Sequence, residues 1–153
     1  MDFLDWINRN RPGKTQDLPD RIEIAHESGE HSTLWKRSDN SDFARLRKLG
    51  TVYMQFDGLD LFSSTFKFAS VLIPRVKNDV MVIFTLEQFE SEVASVGCHF
   101  PELSVPFLYQ AGIGYCAVDI ASGRIYEYDA ETGQSDEYES LEELLDEWLA
   151  AIV

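Results

Sequence analysis

Cations are scarce where this chain carries most of its charge: residues 101–153 hold twelve acids and a single basic side chain, Arg124. Residues 1–50 hold nine of each sign, so the net charge of −14 gathers in the C-terminal part. Such a field repels phosphates and draws in basic proteins, so neither DNA nor RNA is an expected ligand. Two readings of the acids stay open: a surface kept hydrated, or a surface that meets a basic partner.

Cysteine is also scarce. Cys98 and Cys116 form no CxxC pair and lie among core- or strand-type residues, so both are expected as reduced thiols that pack like small apolar groups. His26, His31 and His99 lack the spacing of a zinc site, and no metal is expected. No apolar run approaches the roughly 18 residues of a membrane span, and Asp2 and Asp5 at the start do not suit a signal peptide. The cytoplasm is the expected location, with no membrane partner.

Catalytic signatures are missing as well. Gly13-Lys14-Thr15 has Asn8 where a phosphate-binding loop needs its first glycine, and Gly112-Ile113-Gly114 lacks a third glycine and runs into a strand. Ser63-Ser64 sits in no GxSxG elbow, and Asp57 with Asp60 suits turns and caps better than acid–base work. No catalytic residue and no cofactor are predicted.

What is present is enough for one domain: 153 residues, 44% of them hydrophobic. Phe3, Leu4, Trp6 and Ile7 predict a helix over 2–10, stopped by Pro12-Gly13. Residues 14–42 are polar and predict irregular structure with one short strand near Arg21 to Ala25. A second helix is expected after Asp42 as N-cap, with Phe43, Leu46, Leu49, Val52, Tyr53 and Phe56 near one face. Gly50, Thr51 and Val52 are where it can give way to a strand, and Asp57-Gly58 is expected to close it. Short strands follow at Leu59 to Phe62, Thr65 to Ala69, Ser70 to Pro74 and Asp79 to Phe84.

Leu86, Phe89, Val93 and Val96 predict a helix ended by Gly97, and Val105 to Tyr109 predicts a strand. Tyr115 to Ile120 and Arg124 to Tyr128 flank Ala121-Ser122-Gly123 as a hairpin, in which Tyr126 and Tyr128 share one face. Asp129 to Gly133 reads as the turn that ends it. Ser140 with Glu143 predicts a capping box for a C-terminal amphipathic helix bearing Leu141, Leu144, Leu145, Trp148, Leu149 and Ile152. Without regular βαβ alternation, the order of elements predicts an α+β fold in a single domain.

Pro106-Phe107, Gly112-Ile113-Gly114-Tyr115-Cys116-Ala117-Val118-Asp119, Gly123-Arg124-Ile125-Tyr126-Glu127-Tyr128-Asp129 and an acidic helix with Trp148 together resemble the SUKH superfamily. Asp57-Gly58-Leu59-Asp60-Leu61-Phe62 is similar to that family's Asn-Gly-Gly…Leu-Phe element, departing from it at Asp57 and Leu59. The resemblance covers roughly residues 43 to 153, leaving 1–42 as a poorly matched extension or insertion. It implies a single α+β domain with a central, largely antiparallel sheet and helices packed around it, and a binding protein without catalysis, of the type that confers immunity against a cognate toxin, often a nuclease. A basic toxin domain is then the expected partner. The candidate contact residues are Tyr126, Tyr128, Asp129, Glu131, Asp136, Glu137 and Glu139, the acids read as one loop after the hairpin. The other readings are a regulatory interaction scaffold, as in the yeast cell-wall-synthesis regulator of the same superfamily, and a small-molecule enzyme.

Overall fold

The computed structural model describes residues 2–37, 43–71 and 73–151, the side chains of 149–151 excepted. The chain opens with α1 (Phe3–Asn10), whose N-cap Asp2 accepts the Asp5 N–H at 3.1 Å and whose Phe3, Trp6 and Ile7 are buried. Three antiparallel strands then follow: β1 (Gly13–Asp17), β2 (Arg21–His26) and β3 (His31–Lys36). The short strand expected near Arg21 to Ala25 is β2, whereas the irregular structure expected around it is corrected by β1 and β3; residues 38–42 lie outside the described residues. These strands are polar because β1 is a solvated sheet edge and one face of β2 and β3 carries charged and hydroxyl side chains, which hides the apolar alternation.

Asp42, the expected N-cap of the next helix, lies outside the described residues. A 3₁₀ segment, Ala44–Leu49, runs into a single α-turn, α2 (Gly50–Tyr53), burying Leu46, Leu49, Val52 and Tyr53. Phe56, Asp57 and Gly58 do not extend or close this helix, since they belong to β4 (Phe56–Leu61). Gly58 has φ +102°, and a Cβ there would lie 3.2 Å from the Arg75 side chain and 3.3 Å from that of Ile83. Glycine thus lets an interior strand pass close under its neighbours.

The sheet continues through β5 (Phe66–Phe68), β8 (Ser104–Gln110), β9 (Gly114–Asp119), β10 (Ile125–Asp129) and β11 (Ser135–Tyr138). Its order is β1-β2-β3-β4-β5-β8-β9-β10-β11, with every pair antiparallel. Between β5 and β8 the chain leaves the sheet to form a separate ribbon, β6 (Arg75–Lys77) with β7 (Val80–Ile83), and then α3 (Leu86–Ser95). Thr85 and Gln88 make a reciprocal capping box for α3. Ser70 makes only an isolated bridge to Thr85, so the strand expected over Ser70 to Pro74 is not formed among the described residues. The last helix, α4 (Leu141–Ala151), buries Leu141, Leu144 and Leu145. Ser140 Oγ accepts the Glu143 N–H at 3.2 Å as expected, but the Glu143 carboxylate takes the N–H of Glu139 at 2.7 Å. The predicted roles of the Leu149 side chain and of Ile152 lie outside what is described.

Side chains alternate across the sheet, so two adjacent rungs of cross-strand partners show its two faces. One rung reads Ile22, Leu34, Leu59, Phe68, Leu108, Cys116, Glu127, Asp136, and its apolar members form the core. Trp148 of α4 stacks on Phe62 at 5.3 Å and meets Phe66 edge-on at 4.8 Å, while Arg11 lies over its ring at 5.6 Å. The other rung reads Gln16, Glu23, Thr33, Asp60, Lys67, Tyr109, Tyr115, Tyr128, Ser135. It is charged at the β1 end and aromatic at the β11 end.

Two buried polar ties hold the connections. Asp57, 1% exposed, accepts the Val71 N–H at 2.7 Å and faces Arg75 Nη2 at 3.2 Å, while Arg75 Nε donates to the Asp57 carbonyl at 3.0 Å. Burial pushes the Asp57 carboxyl up, and the Val71 N–H with the Arg75 and Arg37 charges works against that push. The second tie joins α1 to the turn after β4: His26 Nδ1 lies 2.6 Å from the Arg11 carbonyl, His26 Nε2 lies 2.7 Å from Ser32 Oγ, and Ser32 Oγ accepts the Phe62 N–H at 2.9 Å.

Gly114 marks the tightest approach in the sheet, because a Cβ there would sit 2.1 Å from the Tyr128 carbonyl oxygen, a backbone atom that cannot swing away. Gly114→Ala is expected to destabilise the fold by about 1–3 kcal/mol, the range of overpacked sites. Urea unfolding would measure it, and an unchanged midpoint would show that β9 and β10 are not held in this register.

Candidate functional site

The aromatic end of the second rung opens onto a shaped, half-buried surface. Tyr109 of β8 and Tyr115 of β9 are cross-strand partners with rings 5.2 Å apart. Phe89 of α3 meets Tyr115 edge-on at 6.0 Å, and Phe84 meets Phe89 at 6.2 Å. Together with Lys67, Met81 and Val82 these rings line a cavity of about 240 Å³ between the sheet, α3 and the β6–β7 ribbon. Phe84 is 40% exposed and Met81 42% at its rim, with Val76 and Val80 of the ribbon also exposed. Clustered exposure of this kind marks contact surfaces.

A second hollow, about 330 Å³, shares Tyr109 and Tyr115 with the first and continues along Gly112, Ile113 and Gly114 to Ala130 and Glu131. The groove therefore runs from the apolar ribbon to the acidic turn after β10. Burial raises the Tyr115 phenol, and the Glu92 charge adds to the effect. A cation placed over these rings near Glu92 and Glu131 gains from both the tyrosine faces and the carboxylates.

The predicted contact residues divide. Tyr126 and Tyr128 do share a face, as their partners show: Tyr128 pairs with Tyr115 and Ser135, Tyr126 with Ala117 and Glu137. Glu131 reaches the groove. Asp129 spends its carboxylate on the turn, accepting the N–H groups of Glu131 at 2.9 Å and Thr132 at 3.2 Å. Asp136 and Glu137 are not in a loop, a correction to the acid-rich loop expected after the hairpin: both belong to β11, and Glu139 lies between that strand and α4. As strand neighbours they point to opposite faces, so Glu137 joins the tyrosine face and Asp136 sits opposite Glu127 on the core side.

Sequence reasoning passed over Tyr109, Tyr115, Phe84, Phe89, Met81 and Lys67. The first two were within reach, because Tyr109 and Tyr115 lie three residues either side of Gly112 and a tight hairpin there must oppose them. The others meet them only through the packing of the ribbon and α3.

Three groups of polar and thiol side chains lie outside the groove's lining. Ser32 and His26 resemble a nucleophile–base pair, with Nδ1 of the ring 2.6 Å from the Arg11 carbonyl, yet they are 2% and 5% exposed and Ser32 Oγ is occupied by the Phe62 N–H. Burial holds the Cys98 thiol up to about 11 and the Cys116 thiol higher still, leaving both protonated. Among the described residues no group of three or more His, Cys, Asp or Glu side chains is placed to hold a metal. No helix among them is long and apolar enough to cross a membrane.

No family model matches this chain, and no curated protein or solved structure matches it either. What stands is the class of fold, a single α+β domain built on a mostly antiparallel sheet, and the geometry of the groove upon it.

On the other face, Glu127 is half-buried, accepts a hydrogen bond from Gln110 Nε2 at 2.5 Å, and faces Asp136, Glu147 and Asp129. Burial, followed by those three charges, raises its carboxyl. The folded state therefore keeps this proton to higher pH than the unfolded chain, so its contribution is present at low pH and lost as pH rises through the carboxylate range to the raised value. Glu127→Gln preserves the bond to Gln110 and removes the charge. It is expected to be more stable than the parent at pH 7, with the difference closing toward about pH 4. Urea melts across that range decide it, and a variant less stable at pH 7 would show that Glu127 is held by favourable partners instead.

Proposed function

We propose that this is a non-catalytic binding protein of the immunity type, which seats a basic toxin domain on the groove between the β6–β7 ribbon and the Asp129–Gly133 turn. The observation that carries the reading is the continuity of an exposed aromatic hollow with an acidic rim on a chain of net charge −14. An apolar side chain of the partner enters beside Phe84 and Tyr115, and a cationic one lies toward Glu131. The surrounding field speeds the encounter with a basic surface of the sort a nuclease presents to its substrate. The resemblance to SUKH immunity proteins supports the same reading, and the SUKH scaffold role would use the same face.

Coexpression with the toxin-like product of the adjacent gene tests it. The parent chain is expected to restore growth and to copurify with the toxin. Tyr109→Ala combined with Glu131→Lys should weaken that complex by about 30-fold or more, the scale of about 2 kcal/mol lost at an interface hot spot. Rising salt should slow association of the parent more than of the variant. Failure of the parent with every basic toxin-like neighbour would end the reading.

A further inference from the structure

β11 is the last strand of the nine-stranded sheet, and its hydrogen-bonded neighbour is β10. The Asp129 N–H donates to the Gln134 carbonyl at 2.9 Å, which sets the parity of the ladder. Gln134, Asp136 and Tyr138 turn their backbone groups toward β10, so Ser135 and Glu137 turn theirs outward. Both ends of this outward row are closed: the Gly133 N–H is taken by the Asp129 carbonyl at 2.8 Å, and the Glu139 N–H by the Glu143 carboxylate at 2.7 Å. Between them lie two donors and two acceptors in strand geometry, with no sheet partner among the described residues.

We propose that this outer edge of β11 receives an extended, lysine- or arginine-bearing strand of a protein partner, which continues the sheet beyond β11. The proposal rests on the reading of the partner as basic and adds how its backbone is held. The charge on the strand selects the occupant. Asp136 lies on one face of β11 and Glu137 on the other, both exposed, so an added strand meets an acid whichever way its side chains point. Arg124, 3.1 Å from Glu137, is the nearest cation paired there. A second copy of this chain would set acid against acid across the new ladder, which cross-strand pairing disfavours, whereas basic side chains are favoured at the same positions. The acids thus guard the edge against self-association while leaving it open to a strand of opposite charge.

The probe is a capped hexapeptide alternating Lys with Thr and Val, compared with the same peptide carrying Glu for Lys. Titrated into the full chain at low salt, the Lys peptide is expected to shift the amide resonances of Ser135 and Glu137 and to slow their hydrogen exchange. The Glu peptide is expected to do neither. Glu137→Pro removes an outward N–H without touching the ladder to β10 and should weaken Lys-peptide binding at least 10-fold. Glu137→Lys leaves the backbone whole and should swing preference toward the Glu peptide, which keeps the test sound if the proline variant folds poorly. Absence of Lys-peptide binding, or shifts confined to other elements, overturns the inference and leaves the acids as guards only. A toxin complex undiminished in Glu137→Pro would likewise sink the edge while sparing the proposed function. Peptide binding at β11 without any toxin partner would sink the proposed function and spare the edge.

Discussion

Register across the antiparallel meander is the constraint on which the rest of this structure depends. Because strand side chains alternate with period two, a slip of one residue between β9 and β10 would exchange the partners on both faces. Cys116 would lose its place opposite Glu127, and Tyr115 its place opposite Tyr128. The close pass of Gly114 under the Tyr128 carbonyl fixes that register from the backbone side, where no rotamer change can relieve a misfit. The tyrosine groove and the buried aromatic cluster are thus two products of one alignment.

The core side carries a cost that the other elements offset. Asp57 and the Ser32–His26 pair are buried polar groups, and each would be unfavourable without partners. Their hydrogen bonds run to the backbone of Val71, Arg11 and Phe62, segments outside the named strands. Both ties therefore act where the regular ladder does not reach: one where the chain leaves the sheet toward β6, the other where α1 and the β4–β5 turn meet the edge strands. Specifying loops by buried polar contacts is consistent with the apolar side chains being concentrated on helices and inner strands.

Local pattern made the C-terminal two thirds legible. The hairpin of β9 and β10, α3 with its glycine stop and the Ser140-capped α4 all follow from alternation, spacing and capping residues. Of the first three strands only β2 was legible, and β1 and β3 escaped notice because their polarity is a property of the finished sheet. Glu23 is held by Arg21 and Lys77, and Ser32 by His26, contacts that no window of sequence displays. β11 was read as loop for a related reason: Ser-Asp-Glu-Tyr has little strand propensity and is ordered by β10 beside it. In the groove, alternation placed Tyr126 and Tyr128 on one face. Phe84 and Met81 depended on a ribbon excursion whose docking is non-local.

The balance of charge differs between the two ends of the second rung. At the β1 end acids and bases satisfy one another: Glu23 with Arg21 and Lys77, Asp17 with Lys36, and Asp60, raised by its burial, opposed by Ser64, Lys67 and Lys77. A surface neutralised internally offers little to a charged visitor. At the β11 end Arg124 is the one cation after residue 100, and it is engaged by Glu137. Of the acids after it, Glu131 and Asp136 are exposed with no ion pair among the described residues, whereas Asp129 and Glu143 accept backbone N–H groups and Glu127 accepts from Gln110. The negative potential is therefore left uncancelled along this end of the sheet. The excess charge thus collects at the β11 end, while the exposed apolar side chains Val76, Val80, Met81 and Phe84 lie on and beside the ribbon, so the groove joins an apolar end to an acidic one.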